Sequence, residues 1–158
     1  MQTLPKITGL DDAIFLAAKY HRGQFDKGGN PYILHPLKVM HYTRSDDPEI
    51  QMIAVMHDLV EDTEVTLEYL EFMGFSQRVI DGVDALTKRD GESYADYCER
   101  VVVNMDAVIV KMADLRHNTD IRRLKGITQK DTARMQKYHA FYMRLKAIRE
   151  LNTVMGAM

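Results

Sequence analysis

At 158 residues, 46% hydrophobic and 28% charged, the chain has the size and composition of one globular domain with its own core, spanning residues 1–158. A net charge of −2 excludes broad, sequence-independent binding to nucleic acid, and no apolar run approaches the length that crosses a bilayer. The single cysteine, Cys98, excludes an intrachain disulfide framework and fits a structural thiol in a reducing, cytoplasmic compartment, and the opening MQTLPKITGLDD carries no signal-peptide pattern.

From there the pattern is helix after helix. Residues 10–20 place Leu10, Ile14, Ala17 and Ala18 at helical spacing behind Thr8 as N-cap. A glycine-rich break runs from Gly23 through Gly28, Gly29 and Asn30 to Pro31. His35 then opens a second helix to about Tyr42, with Pro36 tolerated in its first turn. Asp47-Pro48-Glu49 combines an N-cap, a first-turn proline and a first-turn acid, and starts a third helix reaching about Val60. Thr66 begins a fourth helix that Gly74 ends, and Ser76 caps a fifth that reaches about Thr87. After a polar loop from Lys88 to Glu92, Ser93 with Asp96 starts a sixth helix. Asp106 precedes a seventh that continues toward Leu124, and residues 129–151 form a last, amphipathic helix. The β-branched runs at 101–103 and 108–110 read as buried helix rather than strand, because their flanks keep a helical charge period. The expected fold is all-α, a single domain of about eight helices. Phe141, Leu145 and Ile148 on the last helix either pack inward or form a homo-oligomer.

The chemistry concentrates in HDLVEDT, residues 57–63. His57 and Glu61 are four apart, as are Asp58 and Asp62, giving two adjoining stripes at a helix end. A helix C-terminus disfavours such a crowd of carboxylates, and a divalent cation would compensate it. Imidazole nitrogen with carboxylate oxygen suits Mn²⁺, Fe²⁺ or Zn²⁺ rather than Ca²⁺. His35 in PYILHP and Asp114 in VKMADLRHN complete a His₂Asp₂ set with positions left for water, as a catalytic site requires. Glu61 and Asp62, one turn on, are placed to orient or deprotonate that water. Taken singly, each of these residues has an ordinary structural explanation, and only their joint occurrence points to a site.

Four longer segments, AAKYHRGQFDKGGNPYILHP (17–36), HDLVEDT (57–63), GVDALTK (82–88) and VIVKMADLRHN (108–118), resemble in order and spacing the hydrolase domain of the RelA/SpoT proteins. They resemble above all its stand-alone forms, the small alarmone hydrolases of the HD superfamily. The resemblance implies removal of the 3′-pyrophosphate of ppGpp and pppGpp, with Mn²⁺ as the metal. It implies His35, His57, Asp58 and Asp114 as metal ligands and Glu61 and Asp62 as the catalytic, water-activating pair. It also places Asn118, Lys27 and, through RMQKY (134–138), Arg134 and Tyr138 at the substrate. Tyr32 either walls the site or simply packs in the loop, and Lys88, Lys111, Arg116, Arg122 and Arg123 offer further positive charge. The partner implied is a small-molecule nucleotide, with neither nucleic acid nor membrane.

The chain departs from the family at Asp26, where relatives carry a basic residue, most often arginine, that packs on guanine. An aspartate cannot stack so, and its charge repels a nearby phosphate. Guanine and adenine alarmones therefore both stay open as substrates. Two broader readings remain beside this one: a general HD nucleotidase, and an alarmone-binding or antitoxin-like regulator without turnover.

Overall fold

The computed structural model of the chain describes residues 8–158. The first seven residues of the opening segment MQTLPKITGLDD, which carries no signal-peptide pattern in sequence, lie outside the described residues. The elements are α1 (Leu10–Tyr20), α2 (Leu34–Tyr42), α3 (Pro48–Met56), α4 (Leu59–Asp62), α5 (Leu67–Met73), α6 (Gln77–Leu86), α7 (Tyr94–Val102), α8 (Met105–Asn118), a 3-10 turn (Ile121–Arg123) and α9 (Gln129–Gly156). Among the described residues there is no strand, only an isolated antiparallel bridge between Phe25 and Pro31. The fold is all-α, and the valine runs at 101–103 and 108–110 fall in or at the end of helices as expected. No helix among the described residues is long and apolar enough to cross a membrane.

The core is organised around α3. Its Ile53, Ala54, Val55 and Met56 are fully buried, and α1, α2, α6 and α8 pack around it. Its start follows from the sequence: Asp47 Oδ1 accepts from the Glu49 N–H at 2.9 Å, with Pro48 in the first turn. Arg78 of α6 ties three helices together, its nitrogens 2.8 Å from Asp47, 2.9 Å from Glu49 and 2.7 Å from Asp106. α6 crosses α3 so closely that a Cβ at Gly82 would fall on the Ile53 side chain. Thr66, Ser76 and Ser93 cap α5, α6 and α7 by accepting from the N–H groups of Tyr69, Val79 and Asp96. Gly74 ends α5 in the left-handed conformation, at φ 94°.

Four boundaries differ from the sequence reading. Gly9, not Thr8, is the N-cap of α1; Asp12 reaches back to the Gly9 N–H at 3.0 Å, and the Thr8 hydroxyl instead donates to the Met73 carbonyl at 2.8 Å. The third helix stops at Met56 rather than Val60. His57 Nδ1 donates to the Ala54 carbonyl at 2.7 Å, taking the acceptor that a continuing helix would offer to the Asp58 N–H, and α4 restarts at Leu59. α8 ends at Asn118, where the Thr119 hydroxyl bonds back to the Leu115 carbonyl and Asp120 caps the 3-10 turn that follows. α9 runs on to Gly156, and its Phe141 and Leu145 pack inward, with Phe141 against the Tyr94 ring at 5.9 Å. Cys98 is buried, and burial pushes its thiol pKa up, as suits an inert structural thiol.

Candidate metal centre and adjoining cavity

The break after α3 shapes the site. On one uninterrupted helix, neighbouring residues point about 100° apart. The break instead turns His57 and Asp58 toward one point, with His57 Nε2 2.9 Å from Asp58 Oδ2. His35 enters from the first turn of α2 and Asp114 from the last turns of α8. His35 Nε2 lies 3.0 Å from Asp114 Oδ1 and 3.6 Å from Asp58 Oδ2, and His57 Nε2 lies 3.5 Å from Asp114 Oδ1. His35, His57 and Asp114 are buried, and Asp58 is partly so.

Both imidazoles are oriented from behind. With His57 Nδ1–H on the Ala54 carbonyl, its Nε2 lone pair faces the centre. His35 Nδ1 lies 2.8 Å from His117 Nδ1, with the two rings stacked at 5.0 Å. Burial and the neighbouring Arg123 charge push His117 down to about 4, so it is neutral and accepts from His35 Nδ1–H. Two ring nitrogens and two carboxylate oxygens, all acceptors, then face one another. His57 Nε2 has no hydrogen-bond partner among the described residues. Such a set repels itself unless positive charge sits among it. The proton affinities say the same: burial alone would lower His57, yet Asp58 and Asp114 raise it well above the ordinary histidine value. The donor set fits a divalent cation.

A surrounding layer holds the carboxylates. The Tyr32 hydroxyl donates to Asp58 Oδ2 at 2.5 Å, and burial together with the Asp58 charge raises its pKa, so it remains a donor. Asp114 Oδ2 lies 2.8 Å from Lys111 Nζ, and Asp114 Oδ1 accepts from Asn118 Nδ2 at 2.8 Å. Against burial, Lys111 and the two histidines keep Asp114 well below the usual carboxylate range. Against burial likewise, His57 holds Asp58 down to about 2. Glu61 and Asp62 lie on α4 with carboxylate oxygens within 4.8 Å of Asp58. Partial burial and the Asp58 charge raise the pKa of both. Glu61 Oε1 accepts from the Lys88 N–H at 2.7 Å, which fixes its direction.

A cavity of about 270 Å³ opens beside this cluster. Lys27, Asn118, Arg134 and Tyr138, which the family resemblance implies at the substrate, all line it, with Tyr32, Arg123 and the apolar Phe25 and Leu124. Tyr32 and Asn118 also touch Asp58 and Asp114, so the cavity and the cluster share a wall. Asp26 lines the cavity too, but its carboxylate is occupied: Oδ1 accepts from the Asn30 N–H at 2.9 Å and Oδ2 lies 3.3 Å from Arg123 Nη2. These contacts outweigh burial and keep its pKa below the usual value. Of the other basic residues, Lys111 pairs with Asp114, Arg122 with Asp120, and Arg116 covers the Tyr42 ring at 4.1 Å.

Sequence reading passed over His117 and His21. His21 is buried, bonds Gln24 Oε1 through Nδ1 at 2.7 Å and packs on the Tyr32 ring at 5.0 Å. Neither histidine belongs to a ligand spacing. The one available signal for His117 was its place three residues after Asp114, one helical turn along the same face.

No protein-family model matches the chain. It is 38% identical over 136 residues to a GTP pyrophosphokinase of Streptomyces coelicolor, a match covering 79% of the chain and 16% of that protein. It is 34% identical over 115 residues to a guanosine-3′,5′-bis(diphosphate) 3′-pyrophosphohydrolase of Haemophilus influenzae, covering 65% of the chain and 17% of the relative. With the bifunctional (p)ppGpp synthase/hydrolase SpoT of Escherichia coli it shares 30% over 126 residues, covering 72% and 18%. The chain thus spans less than a fifth of the length of these relatives. Its fold is similar to the solved structure of a metazoan ortholog of SpoT that hydrolyses ppGpp, with a TM-score of 0.74, 22% identity and coverage of 94% of both chains.

Proposed function

The chain is a RelA/SpoT-type, HD hydrolase-like domain, and from that premise we propose that it hydrolyses the 3′-pyrophosphate of ppGpp or a related pyrophosphorylated nucleotide, acting as a single cytoplasmic domain. The observation that carries this reading is the shared wall: four converging acceptor atoms lie next to a cavity lined by cations and aromatic side chains. His35, His57, Asp58 and Asp114 would hold a divalent cation, which we take to be Mn²⁺. Such a cation would acidify water and offset phosphate charge.

The remaining work falls to side chains of this chain. Glu61 and Asp62 hold the attacking water and take its proton, and their raised pKa values make them better bases than ordinary surface carboxylates. The water oxygen bonds to the phosphorus on the 3′ oxygen as the bond from that phosphorus to the 3′ oxygen breaks. The proton leaves through the carboxylate pair and is returned to the departing 3′ oxygen. Lys27 and Arg134 bind phosphates, and Tyr138 packs on the sugar or base. Asn118 has its carbonyl and one N–H engaged by Arg123 and Asp114, which leaves one N–H for substrate.

A Mn²⁺-supplemented assay of ppGpp and ppApp, read by product identity, tests this. Released pyrophosphate is expected. Orthophosphate release from many nucleotides would favour the general nucleotidase instead, and binding without turnover under any divalent metal would favour the regulator.

A further inference from the structure

Asp26 stands in the wall of a cavity that is proposed to take phosphates, where an unpaired carboxylate would repel them. It is not unpaired. Besides the Asp26 contact, Arg123 donates through Nη1 to the His117 carbonyl at 3.1 Å and to Asn118 Oδ1 at 3.2 Å. Its guanidinium is therefore fixed by the glycine-rich loop and by the end of α8. That loop and the 3-10 turn carrying Arg123 are in close contact, since a Cβ on Gly28 would lie 2.5 Å from the Arg123 carbonyl. A guanidinium carries five N–H groups. The three bonds leave Nε–H and one Nη2–H without an acceptor among the described residues, on a side chain that lines the cavity. The other cavity arginine, Arg134, is bonded to one acceptor among the described residues, Asp131 at 2.6 Å, so its plane is less firmly set, and Lys27 is exposed.

We propose that Arg123 is a substrate-binding residue that donates its two remaining N–H groups to phosphate oxygens of the nucleotide, and that Asp26 is its positioning residue. The loop contributes the acid and the 3-10 turn contributes the cation, so the pocket keeps a fixed guanidinium although residue 26 is not basic. This rests on the function proposed above only for the identity of the nucleotide. A paired, planar fork held by three acceptors recognises a phosphate in a set orientation, which a flexible ammonium does not.

The test compares the wild type with Arg123→Gln, Arg123→Lys, Asp26→Asn and the Arg123→Gln/Asp26→Asn double variant, each verified as folded by its melting temperature. Two readouts are used: KM and kcat for ppGpp, and calorimetric affinity of the Mn²⁺-loaded protein for inorganic pyrophosphate and GDP. Loss of a charge-assisted pair of bonds is expected to raise KM and weaken at least one probe by about tenfold in Arg123→Gln, with kcat falling far less. Arg123→Lys should recover only part of this. Asp26→Asn should weaken binding in the same direction, and the double variant should be no worse than Arg123→Gln alone, because Asp26 acts through Arg123. Effects that multiply in the double variant, tighter binding in Asp26→Asn, or affinities within twofold of wild type in Arg123→Gln would overturn the proposal. So would a wild type that binds neither probe. If the wild type turns over no nucleotide, the hydrolase reading falls, while the probe affinities still decide the role of Arg123.

Discussion

At the His/Asp cluster, the four side chains sit within or beside α2, α3 and α8, are largely buried and are held from behind by a carbonyl, a second imidazole, a phenol and a lysine. The cavity next to it is walled instead by a glycine-rich loop, a 3-10 turn and the half-buried face of α9. In the first region the proposed cation would fix the residue types, since it needs several donor atoms in a set geometry. In the second, the charge comes from two segments held together, Asp26 of the loop being paired with Arg123 of the 3-10 turn. Substitutions should therefore fail differently in the two regions: abruptly at the centre, and gradually, through KM, in the cavity.

The sharpest break in that comparison should come from His57→Ala or Asp58→Ala. Each is expected to lose bound metal, measured by elemental analysis, together with turnover to background. Glu61→Gln should separate the two properties, retaining metal while kcat falls by roughly 10²–10⁴, the usual worth of a general base. His117→Ala removes the acceptor that orients His35. It should weaken metal affinity by roughly 10- to 100-fold in a chelator competition, and a His117 that matters only for packing would leave that affinity unchanged. Away from both regions, Gly82→Ala should force α3 and α6 apart and destabilise the fold by about 1–3 kcal/mol in denaturant melts, with the site chemistry intact at low temperature.

The smallest expected effect concerns pH. Arg100 Nη2 lies 2.8 Å from Glu92 Oε2, and the Arg100 hydrogen bonds hold Glu92 down to about 2. A carboxylate with a depressed folded-state pKa stabilises the fold above its unfolded value of about 4.3, and that contribution is lost as pH falls toward 2. Glu92→Gln should therefore lower stability at neutral pH and flatten the acid limb of the stability profile between those values.

The all-α class and most helix starts were legible in the sequence, because Asp47-Pro48, Thr66, Ser76 and Ser93 act locally and their caps form with the residues next to them. The ends were harder. Whether α3 runs through His57 depends on an imidazole bonding the Ala54 carbonyl, an option that helical periodicity does not reveal. At the site, residue type suggested His35, His57, Asp58 and Asp114, the longer motifs that resemble the family gave that set its weight, and the fold brings the four together. Residue type and motif could not reveal the partners behind them, such as His117 at His35 or Tyr32 at Asp58, whose contacts span 82 and 26 residues of sequence. At Asp26 the sequence shows an acid that would repel phosphate, and it does not show the ion-pair partner, Arg123, which lies 97 residues away.

One buried His/Asp cluster is proposed to support cation-dependent cleavage in the cavity it adjoins. The most direct measurement is single-turnover hydrolysis of ppGpp by chelator-stripped protein before and after Mn²⁺ is restored, with the product identified. The prediction is no cleavage without metal, and pyrophosphate with GDP once metal is added. Full activity in the stripped protein, or release of orthophosphate alone, would contradict it.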